Sequence, residues 1–151
     1  MSELSDETVV VLRRAGWHPG RAVDVSVYVA DYKKVGYSDF EAAIHFLSEF
    51  GGLRLMFPNS HDLSLNTDCN FDVERAAMLG PEWFEHYAEH LGEEVVPIGQ
   101  AHSNHMDLLM TSSGRVYACT EALLCYLGVD GMSALNLLCE GRKKDCENIP
   151  L

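Results

Sequence analysis

Residues 85–90 read EHYAEH, and within them His86, Glu89 and His90 spell H-x-x-E-H. That is the order of ligands and general base on the helix of inverted zinc peptidases. Two histidines four apart lie on one helix face and can share a metal, with the adjacent carboxylate as base. A catalytic centre also needs a third protein ligand, for which the chain after His90 offers Glu121, Glu140 or Glu147. The same segment places Trp83, Phe84, Tyr87 and Leu91 at core spacing, leaving Glu82, Glu85, His86, Glu89 and Glu93 as a solvated outer face. The solvated face is the reading adopted, and zinc hydrolysis is kept as a remote third class.

Other chemistry is weaker. His102 and His105, three apart in AHSNH, read as polar loop residues. GMSAL at 131–135 lacks the second glycine of a nucleophile elbow, and the chain holds no dinucleotide or phosphate loop and no deaminase pair. Cys69, Cys119, Cys125, Cys139 and Cys146 form no C-x-x-C, and three sit in apolar company, so they read as reduced and mostly buried. No local base or phosphate-type loop accompanies any of them. No catalytic, metal-binding or cofactor-binding residue is assigned, and no enzymatic activity is expected.

The elements that must position these residues follow from periodicity and caps. Ser5 is expected to cap a helix to Ala15 that stops at Gly16. Asp24 caps a second, with Val25, Tyr28, Val29, Tyr32 and Val35 at helical spacing before Gly36. Ser38 and Glu41 form a capping box for a third, whose apolar face ends at Gly51-Gly52. From Leu53 to Phe57 the period falls to two, as in a strand, and Leu63 and Leu65 suggest a second short one. Asp72 caps a short helix, and Pro81 opens another over about Glu82–Leu91. A strand is expected near Glu94–Ile98, a hairpin from Met106–Met110 and Arg115–Cys119, and two helices over Glu121–Leu127 and Ser133–Glu140. The pattern is α+β, an antiparallel sheet packed by several helices. It gives one domain over 1–141 and a loose tail over 142–151.

Charge narrows the partners. The chain of 151 residues has 23 Asp and Glu against 11 Lys and Arg, a net charge of −12. Nine of the acidic residues, opposed only by Arg75, lie between Asp62 and Glu94. This balance argues against direct binding to nucleic acid or an anionic membrane and favours a basic protein partner. An acidic N-terminus and short apolar runs give neither a signal peptide nor a membrane span, so a cytoplasmic protein is expected.

Several stretches taken together resemble one family. AGWHPGR at 15–21, Val23-Asp24-Val25, Gly36-Tyr37, FLSEFGGL at 46–53, VPIG at 96–99, SGRVYA at 113–118 and SALNLLCEG at 133–141 are similar to the third subgroup of the SUKH superfamily of bacterial immunity proteins. The resemblance implies non-enzymatic cytoplasmic antidotes encoded beside secreted polymorphic toxins, many of them nucleases. It also implies an α+β fold with an antiparallel sheet packed by helices. The matching positions Trp17, Pro19, Gly20, Arg21, Phe46, Phe50, Gly51, Gly52, Leu53, Pro97, Ile98 and Gly99 have architectural physics: turns, a helix stop and core aromatics. The resemblance carries over no toxin contact and gives the EHYAEH histidines no metal role. From charge alone, Asp62, Asp68, Asp72, Glu74, Glu82, Glu85 and Glu89 are the candidate partner-binding residues. The leading function is therefore an antidote that binds a basic toxin domain. The alternative is a regulatory module holding a peptide or small ligand between helices and sheet.

Overall fold

Helix α1 (Asp6–Arg14) begins where the Ser5 hydroxyl accepts the Thr8 N–H, with acids in its first turn and Arg13 and Arg14 in its last. It opens a computed structural model that describes residues 3–151. Helix α6 (Gly131–Cys139), capped by Asp130, packs against it. One side chain joins them: Asn136 Oδ1 accepts from the Ser5 N–H at 2.9 Å and the Thr8 hydroxyl at 2.8 Å. Thr8 is fully buried, so this bond satisfies a hydroxyl that water cannot reach.

Helix α3 (Glu41–Phe50) ends at Gly51, whose carbonyl, with that of Glu49, accepts from the Arg21 guanidinium. Trp17 is buried beside it, its indole N–H donating to Glu49 at 3.0 Å. The exposed Pro19-Gly20 turn, with Gly20 at φ +80°, delivers Arg21 to that helix end. The WHPGR motif is thus a C-terminal cap for α3, made by a side chain from another segment. Phe46 and Phe50 lie 5.0 Å apart between ring centres, and Phe46 meets Phe71 edge-on at 5.1 Å.

The sheet is an antiparallel meander in chain order: β1 (Arg54–Asn59), β2 (Asp62–Asn70), β3 (Val95–Ala101), β4 (Met106–Thr111), β5 (Val116–Cys119), β6 (Leu124–Gly128) and β7 (Glu147–Asn148). Helices α1, α3 and α6 pack on one side, where Phe46, Ile98, Leu108, Val116 and Leu135 meet. Helices α2 (Ser26–Val35) and α4 (Val73–Ala76) pack together, and α4 lies against β3. Strand β2 meets β3 only at Cys69–Ala101 and Asn70–Gln100. There β3 carries a bulge, with Pro97 opposite Leu109 and Gly99 opposite Leu108, leaving Ile98 as the extra residue. A Cβ on Gly99 would lie 2.0 Å from the Asn70 carbonyl oxygen, so only glycine lets β2 dock here. The Pro97 carbonyl is taken by the buried Tyr32 hydroxyl of α2 at 2.7 Å.

Five expectations are corrected. Residues 124–128 form a strand, not part of a helix, because the run LLCYL satisfies either period and pairing with β5 on one side and β7 on the other decides it. The Ser38–Glu41 capping box does not form: α3 starts after Phe40 with no side-chain cap. Helix α2 starts after Val25, while Asp24 accepts the Ser26 N–H one residue too early to be its cap. The second strand is nine residues long rather than a short piece, its residues 62–66 exposed in a hairpin with β1. The segment 142–151, read as loose, contributes a 3₁₀ turn at Lys143–Asp145 and the edge strand β7, where the Cys125 thiol donates to Asn148 at 2.8 Å.

Gly99→Ala should lower unfolding stability by about 3 kcal/mol, because backbone rather than a movable side chain blocks the new methyl. Chemical denaturation checks it, and a loss under about 0.5 kcal/mol, the surface-substitution range, would contradict the β2–β3 contact described.

Candidate functional site

The segment after α4 links the sheet to the outer helices. Pro81 opens a 3₁₀ turn (Pro81–Phe84), and after Phe84 the chain continues as α5 (Glu85–Leu91), closed by Gly92 in the left-handed region. With three residues per 3₁₀ turn, Phe84 and Tyr87 both point inward, while Trp83 is rotated out and is 48% exposed. The expectation that Trp83 belongs to the buried stripe is corrected by that change of helical pitch. Tyr87 anchors the segment, its hydroxyl donating to the Thr120 carbonyl in the β5–β6 turn. Burial pushes that phenol up to about 12.

A cleft of about 430 Å³ opens between α5 and the ends of β4 and β5, lined by Trp83, His86, Tyr87, His105, Asp107 and Glu121 among others. Asp107 is half-buried, and its side chain accepts one hydrogen bond, from Gln100 Nε2 at 3.2 Å. Burial raises its carboxyl above the ordinary range, and the single bond from Gln100 offsets this only in part. On the other side of α5 a second cleft of about 380 Å³ is lined by Tyr37, Ser38, Glu82, Glu85 and Glu94 among others. The α5 segment is therefore a ridge between two concavities, with Glu82 and Glu85 facing one and His86 the other. Tyr37 hydrogen-bonds the Leu79 carbonyl, and burial followed by the nearby carboxylates of Glu82 and Asp107 pushes its hydroxyl up.

The seven candidate carboxylates do not form one patch. Glu82, Glu85 and Glu89 are exposed along the ridge. Asp72 caps α4, accepting the Arg75 N–H, and it lies with Glu74 near Asp31 of α2, whose carboxyl is raised by burial and then by these two neighbours. Asp62 is exposed at the start of β2 and accepts from both the N–H and the hydroxyl of Ser64. Asp68 is buried, bonded to Arg54 at 3.0 Å and to the Ser103 N–H at 2.8 Å. It holds the turn at 102–104, three residues with positive φ, to β2. Asp68 is thus a structural carboxylate: it stands opposite Met56 on the paired strand and reaches diagonally to Arg54, which is itself opposite Asn70.

The histidines also separate. His102 is tied to Thr67 through Nδ1 at 2.6 Å, and burial followed by Lys143 lowers its pKa, whereas His105 lines the cleft beside α5. The His86 ring lies 3.8 Å from that of Tyr87, and His90 is exposed. Among the described residues no three His, Cys, Asp or Glu side chains gather where they could hold a metal. The buried thiols of Cys69, Cys119 and Cys139 are pushed up by burial, Cys139 to about 12, the opposite of what a nucleophile needs. Among the described residues no helix is long and apolar enough to cross a membrane.

Trp83 and Asp107 were not among the candidates read from sequence, and Glu121 entered only as a possible third zinc ligand. Asp107 had a signal: it interrupts MDLLMT at a position sharing a face with Leu109 and Thr111. Because its folded pKa is raised, the ionised carboxylate opposes folding. Its stabilising contribution is complete below the unfolded pKa and lost as pH rises through the higher folded value. Asp107→Asn should therefore raise the thermal midpoint at pH 7, and its advantage should shrink as pH falls through the folded carboxyl pKa. A lowered midpoint at pH 7 would contradict this account.

A family model described as SUKH-3 immunity protein matches residues 4–141. Searches of curated proteins and of solved structures return no match. The matched span runs from before α1 to the end of α6, taking in the WHPGR cap of α3, the VPIG bulge of β3 and the α5 ridge. The chain belongs to the SUKH-3 immunity protein family.

Proposed function

We propose that this immunity protein neutralises a secreted toxin of nuclease type by binding its basic domain through the acidic ridge at Glu82, Glu85 and Glu89. One observation carries this reading. These three carboxylates stand exposed on a ridge between two clefts, and none takes part in either ion pair found among the described residues, Arg54–Asp68 and Glu140–Arg142. Uncompensated charge gathered on one side costs self-repulsion but speeds encounter with a cationic partner. A nuclease domain must attract polyanionic nucleic acid, so the surface it uses is basic, and a carboxylate ridge competes for that surface. The chain needs no reaction of its own: an interface of standard size, about 800 Å² per partner, is enough to cover an active site. The proposed place of action is the cytoplasm of the producing cell.

Reversing Glu82, Glu85 and Glu89 to Lys should slow association with the toxin domain encoded beside the chain by about 10- to 1,000-fold at low salt. The difference should narrow as salt rises, because exposed charges are screened. Stopped-flow association with a catalytically inactive toxin domain checks both, and an unchanged rate would remove this ridge from the interface.

A further inference from the structure

The cleft between α5 and the ends of β4 and β5 has a composition that the ridge carboxylates alone do not explain. It presents a half-exposed indole, Trp83, together with two carboxylates, Asp107 and Glu121, and among the described residues no Lys or Arg lines it. The other indole, that of the buried Trp17, has a cation beside it: the Arg13 guanidinium lies 5.9 Å from its ring centre. Among the described residues Trp83 has no such neighbour. Asp107 is the more informative carboxylate. It is kept half-buried, with one hydrogen bond, where burial disfavours its charge. A buried charge of this kind is relieved by an opposite charge brought close, and among the described residues no cation is paired with it.

Resting on the immunity reading, we propose that this cleft is the socket for one arginine side chain of the partner protein, its guanidinium stacked on Trp83 and bonded to Asp107 and Glu121. The chemistry selects arginine over lysine. A planar, weakly hydrated guanidinium both stacks on an indole face and forms paired bonds to carboxylate, whereas an ammonium does neither as well. The space suits it: about 430 Å³ lies within the ~300–1,000 Å³ of small-molecule sites and is ample for one side chain. The walls are fixed in place. Tyr87 ties α5 to the β5–β6 turn, and pairing of Asp107 with Gln100 on β3 and Cys119 on β5 holds the floor. Tryptophan and arginine are also the residues that most often dominate protein interfaces, in desolvated pockets ringed by weaker contacts. The ridge then steers the partner, and the socket holds it.

The test is calorimetric titration of the inactive toxin domain, encoded beside the chain, into wild type and variants at ~150 mM salt, near physiological ionic strength. Trp83→Ala is expected to weaken binding about 30-fold or more, as a hot-spot truncation does. Trp83→Phe, which keeps an aromatic face, should recover much of that loss. Asp107→Asn should weaken binding about 10-fold while raising the thermal midpoint of the free protein, a combination that a merely structural role would not produce. Val27→Ala, at an exposed apolar position on α2, should leave affinity unchanged. Tight wild-type binding with Trp83→Ala and Asp107→Asn both within twofold would overturn the socket and leave the immunity reading standing. No binding by folded wild-type protein would overturn the immunity reading and the socket with it.

Discussion

The bulge at Ile98 is the constraint on which the rest of the molecule depends. One extra residue in β3 places Ile98 in the core under α3 and α6, and turns the Pro97 carbonyl to the Tyr32 hydroxyl of α2. The next residue must be glycine, since only a bare Cα lets the Asn70 carbonyl of β2 come so close. The β1–β2 hairpin, the five-strand meander and the helix α2 therefore meet at four consecutive residues, VPIG. Beyond the bulge the register puts Gln100 opposite Asp107 and Asp107 opposite Cys119. A one-residue slip would turn Asp107 to the opposite face of the sheet and close the cleft chemistry.

A second device closes the end of α3. The end of α3 is capped by Arg21, reaching across from a turn 30 residues earlier, with Trp17 closing over it. This is why WHPGR and FLSEFGGL occur together: one supplies the donors and the other the orphan carbonyls. Gly51 has its own reason, because a Cβ there would meet the Tyr28 hydroxyl at 2.5 Å. The scaffold is held by such specific contacts between distant segments, and the exposed side of α5 takes no part in them.

That division explains what was legible in the sequence. Elements with a strong period and a local stop, such as α1, α3 and the β4–β5 hairpin, were readable, as were the α+β class and the family. Strand β6 was not, because Leu124–Leu127 suits a helix or a strand, and its neighbours β5 and β7 decide. The capping box failed because Ser38 precedes the helix by too much, and β2 was underestimated because its exposed outer half has no buried face to create alternation. Among the candidate carboxylates, Glu82, Glu85 and Glu89 stand exposed along one ridge, whereas Asp68 is buried and bonded to Arg54, a contact that depends on strand register. Trp83 was misplaced by reading 81–91 as one α-helix, since only the 3₁₀ turn rotates its ring outward. EHYAEH lies on the crest of a carboxylate ridge, with His86 against Tyr87.

In the function proposed here, the protein separates two tasks that charge alone would blur. Exposed glutamates supply a field that acts at a distance and fades with salt, while a half-buried aspartate beside an indole acts only on contact. The central claim, that the partner docks on α5 and its cleft, is tested most directly by amide hydrogen exchange of the protein alone and bound to the toxin domain. The account predicts added protection over residues 81–91, around His105–Asp107 and over the β5–β6 turn at 120–123. Protection confined to the β1–β2 hairpin, with 81–91 exchanging as in the free protein, would contradict it.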